Sequence, residues 1–398
     1  MPQAHAISVN SNRAVTPAAH AAFVPTGIVT VLLGPLLPIL AARWVLNDVQ
    51  AGYLFTAQFT GAMIGTLGSG WLVSRLGYRP PIVAGLVMMA LGTAGLPLSH
   101  WLTGIACVAA NGFGYGLAVP ACNISVAEAN PTRRAGALNL LNFSWSAGSV
   151  ACPFLISAFA RFHAVPTFLY GMGVILVLVA VIISLLPYPR REAKPTATSS
   201  STDPNLWQNR FVVILALLFF LYVGTETCLG GWIASFAKRL GTGSVGLWVM
   251  TPSFFYGALL VGRGLAPLLL RTFSELALAR GGLALACFGA VELMSSRSIP
   301  AVIVGAALSG LGLAAVYPIT ISMLTHKFGP RASQLAAFMF SMANVGGATM
   351  PWLVGYSSVA FSSLRAGLAV PLAGGVGMLA LYLVNWDLAD EPRPAEAV

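Results

Sequence analysis

Twelve times along its length this chain runs through about 20 mostly apolar residues with almost no charge, and that recurrence leaves few folds open to it. The runs are 21–43, 51–73, 80–99, 102–126, 136–160, 166–187, 210–237, 245–270, 275–295, 299–325, 333–357 and 364–386. Each has the length of a helix that crosses the hydrocarbon of a bilayer. Composition points the same way: 57% of the residues are hydrophobic and 8% charged, against about a quarter charged in an ordinary soluble domain. The expectation is an all-α membrane protein with twelve transmembrane helices, a multi-pass protein of the cell (plasma or inner) membrane whose solvent is the lipid bilayer.

The net charge of +10 raises the question of nucleic acid, and the positions of the 21 basic residues answer it. With the N-terminus in the cytoplasm, fourteen of them fall in inside segments and six in outside loops, leaving Arg263 within a span. That is the bias expected when positive charge sets orientation, so both termini are expected to be cytoplasmic and no nucleic-acid partner is needed. Residues 1–20 are mixed and polar and read as a cytoplasmic tail, with no signal-peptide core. Residues 188–209, rich in Pro, Ser and Thr, read as a cytoplasmic linker between two six-helix bundles, 21–187 and 210–386, and 387–398 as a second tail.

The two bundles share a design. GFGYGLAVP at 112–120 is echoed by GLGLAAVYP at 310–318, an offset of 198 residues. At that offset Arg133 meets Arg331, Gly148 meets Gly346 and Pro153 meets Pro351; at 196, Gly61 meets Gly257 and Arg75 meets Arg271. The chain therefore reads as two pseudo-symmetric halves, as in transporters built from structural repeats. Closely spaced small residues let helix backbones approach in lipid. A proline in mid-span bends a helix, so Pro120 and Pro318 are expected to mark matching bends in spans four and ten.

Polar side chains are unevenly shared. Spans three, six, nine and twelve are nearly free of them centrally, whereas spans two, four, five, seven, eight and eleven carry Gln58, Asn111, Asn123, Asn139, Asn142, Glu226, Arg263 and Asn344. Polar groups are costly in lipid and turn towards a bundle interior or a wet cavity. Every third helix is then a lipid-facing prop and the others surround a polar path, the layout of a transporter.

With these features the sequence resembles the major facilitator superfamily over essentially its whole length. GWLVSRLGYR at 70–79 is similar to that family's signature loop, in which Gly70, Arg75, Gly77 and Arg79 match, while Ser74 replaces the usual aspartate and Tyr78 the first basic residue. The resemblance implies a cytoplasmic charge latch. Without the aspartate it must be weaker or differently built, and Glu128, Arg133 and Arg134 after span four are placed to supply part of it. YVGTETCLGGW at 222–232 looks like span seven of the fucose-permease-like, sugar–proton symporter branch. That branch depends on membrane acids in spans one and four; here span one has none, and span four has only Glu128 at its cytoplasmic end.

Glu226 is the sharpest single feature. It lies about fifteen residues into span seven, roughly 22 Å along a helix, where burial disfavours the charged form of a lone carboxylate, as a proton carrier needs. Arg263 is the evident partner but sits only about 10 Å deep, so the pair would have to stretch to meet. Asn139, Asn142 and Ser146 lie on one face of span five beside Trp145. With Gln58, Asn111 and Asn344 they suit a neutral, hydroxylated ligand: amides bind hydroxyls while an indole stacks on the apolar face of a ring. Bridging between helices is the alternative use of such amides. Trp232 and Tyr256, with Tyr222 and Tyr317, are further binding candidates.

Cys107, Cys122, Cys152, Cys228 and Cys287 lie in apolar stretches with no CxxC pair, and the five histidines show no metal-ligand spacing. No GxxxxGK[ST] loop occurs, so no metal, cofactor, ATP hydrolysis or enzyme activity is expected. The residues point to a monomeric secondary transporter taking up a small polar solute, a sugar or polyol first, with protons, by alternating access. A drug or metabolite exporter and a non-transporting membrane sensor are the alternative readings.

Overall fold

The computed structural model describes residues 2–131, 133–186, 209–241 and 244–383, the side chains of 2–14, 135, 330, 333 and 334 excepted. Most of the linker and the C-terminal tail, 387–398, lie outside these. Among the described residues every regular element is helical. The first half comprises α1 (Pro2–Thr30), α2 (Leu33–Trp44), α3 (Asp48–Leu76), α4 (Arg79–Gly95), α5 (Trp101–Ala129), α6 (Arg134–Arg161) and α7 (Val165–Leu185). The second comprises α8 (Arg210–Arg239), α9 (Val245–Val249), α10 (Thr251–Leu269), α11 (Glu275–Ser295), α12 (Ile299–Leu313), α13 (Val316–Phe328), α14 (Ala332–Ala360), α15 (Leu364–Gly367) and α16 (Ala369–Leu383). Several of the expected spans are thus pairs of helices joined at a break.

Among the described residues nine helical segments are long and apolar enough to cross a membrane, and the bent pair α1–α2 makes a tenth. The 29-residue helices α3 and α14 are long enough but more polar. With these two, each of the twelve apolar runs has its helical segment. The polarity of α3 and α14 has a tertiary reason. They pack against each other between the halves, where the Thr56 hydroxyl donates to the Ala348 carbonyl at 2.7 Å, so they need less apolar surface for lipid.

The repeat read from sequence recurs in three dimensions. A Cβ placed on Gly112 would overlap the Gln58 carbonyl of α3, and one on Gly310 the Phe255 carbonyl of α10. Two residues on, Gly114 meets Gly85 of α4, and Gly312 meets Gly282 of α11. Residues two apart point about 200° apart around a helix. The GxG of the shared phrase therefore bares backbone on opposite sides, clamping α5 and α12 between two neighbours each. Gly148 on Val24 and Gly346 on Phe220 form a third matched pair. Without a hydrophobic drive in lipid, these backbone contacts are what hold helix on helix.

The two prolines differ in how they interrupt their helices. Span ten breaks at 314–315, where the ring of Pro318 excludes a hydrogen bond to the carbonyl four residues back, Ala314. Helix α5 instead runs through Pro120 without interruption. In its equivalent position stands Gly116, whose bare backbone is pressed on the Ala62 carbonyl of α3, so the neighbour splints the helix. The N-half break falls elsewhere, in span one, at Val31–Leu32 with a bend of 40°. There Pro35 leaves Val31, and the Gly34 amide turns to the Val31 carbonyl at 3.2 Å. Upstream, helix α1 extends back through the segment read as a tail, and Val15, Ala18 and Ala19 in it are buried.

Candidate functional site

Glu226 and Arg263 do meet. The Arg263 Nη2 lies 3.7 Å from Glu226 Oε2, and the same nitrogen donates to the Tyr222 hydroxyl at 3.3 Å. Tyr222 precedes Glu226 by one helical turn on α8, so both present to the same neighbour. The long arginine side chain closes the depth difference from α10. The ring of Tyr317 from α13 lies 5.1 Å from that of Tyr222. Both charged side chains keep some access, 17% for Glu226 and 25% for Arg263. An ion pair that is neither sealed nor in bulk water can be opened by a proton on the carboxylate or by a ligand competing for the guanidinium.

The amides divide between bridging and self-capping. Gln58 is buried, and its Nε2 donates to the Thr30 carbonyl at 2.9 Å. That oxygen is orphaned because the break turns the Gly34 amide elsewhere, so Gln58 fastens the broken helix. Asn111 donates to Thr93 at 3.1 Å, while its Oδ1 is buried with no partner. Gln58 and Asn111 border a small cavity of about 20 Å³ beneath the break, otherwise lined by aliphatic side chains; that is room for one water. Asn142, which is exposed, and Asn344, half-buried, return their Nδ2 groups to the Leu138 and Phe340 carbonyls, one turn back. Their carbonyl oxygens are left for other partners.

The aromatic candidates also separate. Trp232 is buried in the core, its indole donating to the Pro351 carbonyl at 3.0 Å and its ring on Phe55. Tyr256 is buried with its hydroxyl against Gly230. The indole nitrogen of Trp145 is buried and unpartnered. The structure therefore groups Glu226, Arg263, Tyr222 and Tyr317 together, and packs Trp232 away from them.

At the linker end, Gly70 and Gly77 of the signature segment have open space around them, and Gly77 takes the positive φ of 82° that ends α3. Arg75 lies over the Trp71 ring at 4.7 Å. Arg79 donates to the Ser184 carbonyl at 3.0 Å, tying α4 to the end of α7. Glu128, Arg133 and Arg134 are exposed and form no ion pair among the described residues, so the charge latch suggested for them is not assembled in this conformation. The opposite end is shut. There Asp48 bonds both Arg239 and Ser358, Lys238 donates to the Pro38 carbonyl at 2.9 Å, and Ser157 to the Gly246 carbonyl at 2.7 Å. Sequence reasoning passed over these residues because an acid after Asn47 reads as an ordinary helix-start residue.

Two repeated helical bundles, shut against each other at one end and holding a charged pair at mid-span, define a multi-pass membrane transporter. A model of the Major Facilitator Superfamily matches residues 20–293, and the chain belongs to that family. It is 26% identical over 353 residues to a glucose/galactose transporter of Brucella abortus, covering 83% of this chain and 84% of the relative. To the sodium-dependent glucose transporter 1A of Mus musculus it is 24% identical over 421 aligned positions, 95% of this chain and 97% of that one. In structure it is similar to the E. coli fucose:proton symporter, with a TM-score of 0.63 and 19% identity over 92% of this chain and 97% of the other. As a member of this family it is a transporter and not an enzyme.

Proposed function

We propose that the protein carries a sugar or related polyol into the cell by alternating access, with uptake coupled to a proton taken by Glu226. The observation that carries this reading is the Glu226–Arg263 pair, 3.7 Å apart and only partly covered. Protonating the carboxylate releases Arg263 and Tyr222, so occupancy of the site and the charge on the acid are linked. The names of the Brucella and mouse relatives support a hexose as the solute. The free carbonyl oxygens of Asn142 and Asn344 and the indole of Trp145 supply the chemistry such a ligand needs. The excess of basic residues at the linker end supports cytoplasmic termini, and on that orientation the conformation described is shut to the outside. We take the chain to work as a monomer of two bundles, 21–187 and 210–386, joined by the linker.

The test is counterflow and gradient-driven uptake of labelled hexoses in proteoliposomes. The wild type is expected to accumulate sugar under an inward proton gradient. Glu226→Gln is expected to retain counterflow and lose accumulation. Accumulation by Glu226→Gln equal to wild type would remove the acid from coupling. A second reading, sodium coupling, is favoured by the name of the mouse relative, and an absolute need for a sodium gradient would select it.

A further inference from the structure

The two ends of the bundle interface differ in packing, and the difference turns on one acid. Away from the linker, glycine backbone is jammed across the halves: Gly52 against Trp352, Gly231 against Phe55, Gly347 against Phe59 and Gly355 against Asp48. At the linker end, Gly70, Gly77, Gly136 and Gly329 meet nothing within 4 Å, as does Gly241 just beyond α8 at the other end. Glycine contacts of this kind exclude water but have no direction. They close equally well in any register that brings small residues together, and they resist separation only through packing.

Asp48 is different. It stands at the start of α3 in the first half, and its two carboxylate oxygens are taken by two helices of the second: Oδ1 by Arg239 at the end of α8, Oδ2 by Ser358 near the end of α14. Its side chain is 12% exposed, whereas that of Arg239 is 46% exposed. The acid is therefore the sheltered partner, and opening this end would leave it without either bond. Charge-assisted hydrogen bonds are among the stronger ones a protein can make, and these two bridge elements that must part if the site is to open outward. Lys238, adjacent to Arg239, reinforces the same seam by reaching back to Pro38 on α2.

We propose that Asp48 is the latch of the outer gate: a carboxylate from the N-terminal half that clasps Arg239 and Ser358 of the C-terminal half and holds the transporter shut on the side away from the linker. It lies at the opposite end from the linker-end charge network that the family resemblance implies, which is unassembled among the described residues in this conformation. It rests on the alternating-access reading, since a latch has a role only if this end also opens. Removing the clasp favours the outward-open state without touching Glu226 or Arg263.

The experiment places a reporter in the seam. Thr56, bonded to Ala348 across the halves, is changed to cysteine and labelled with a membrane-impermeant maleimide from outside sealed right-side-out vesicles. Labelling of the five native cysteines is subtracted using the parent chain. Asp48→Asn and, separately, Arg239→Gln are each expected to raise the labelling rate about tenfold, the effect of about 1.4 kcal/mol on a two-state equilibrium. The double variant is expected to gain no more than Asp48→Asn alone, because the Arg239 bond is already lost in that variant. An unchanged rate in either single variant, or additive gains in the double, would overturn the latch. Should Asp48→Asn not reach the membrane, the exposed Arg239→Gln decides alone. No solute is involved, so a failure of the sugar or proton reading in transport assays leaves this result standing by itself.

Discussion

Thr30 and Glu226 occupy equivalent places, 196 residues apart, in the first span of each half, and the two spans meet the cost of polarity in lipid in opposite ways. In the first, the helix breaks between Thr30 and Leu33, and a backbone carbonyl becomes the polar group, answered by the neutral amide of Gln58. In the second, α8 runs unbroken from Arg210 to Arg239, and a carboxylate is the polar group, answered by Arg263. A broken backbone yields a dipole that is always present. A side-chain acid yields a charge that can be switched off. The repeat thus supplies one scaffold twice, with a neutral polar contact in one half and an ion pair in the other.

The largest effect should come from breaking the charged side alone. Arg263→Ala strands a mostly covered carboxylate and is expected to cost about 3 kcal/mol of stability, measured by thermal unfolding in detergent. Combining it with Glu226→Gln should recover most of that loss. Next come the contacts that both halves share. Gly112→Ala and Gly310→Ala each push a methyl group into a neighbouring backbone carbonyl, and each is expected to cost about 2 kcal/mol. A loss confined to one half would show the repeat to be a sequence likeness without common packing. On the neutral side, Gln58→Leu frees the Thr30 carbonyl without a partner. It is expected to cost about 1 kcal/mol, measured by thermal unfolding in detergent. The smallest change is Thr30→Val, which removes only the hydroxyl's 2.6 Å bond to the Thr26 carbonyl. It should shift stability by about 0.5 kcal/mol or less.

Much of the architecture is legible in the residues. Twelve apolar runs, the 198-residue echo and the basic bias lead to two helical bundles, because span length, small-residue packing and loop charge are each local properties. The candidate site is legible in part. Glu226 stands out as an acid deep in an apolar run, and Arg263 as a basic residue well inside a span. That they touch, and that Tyr222 and Tyr317 complete the group, depends on how α8, α10 and α13 pack. Trp232 shows the opposite outcome: its place in a distinctive motif suggests a ligand contact, but packing turned its indole to Pro351. The prolines differ in a way the sequence does not show, since α5 is continuous through Pro120 while span ten breaks before Pro318.

By itself, then, the sequence determined the class of solvent, the places of the apolar runs and their two-fold design, because those follow from apolar run length and spacing along the chain. Tertiary structure alone decided which polar groups are answered and by whom, and which end of the interface is shut. Those outcomes turn on contacts between residues far apart in the chain, such as Asp48 with Ser358 across 310 positions. A carboxylate after a helix cap has the same local signature whether it faces water or closes a gate.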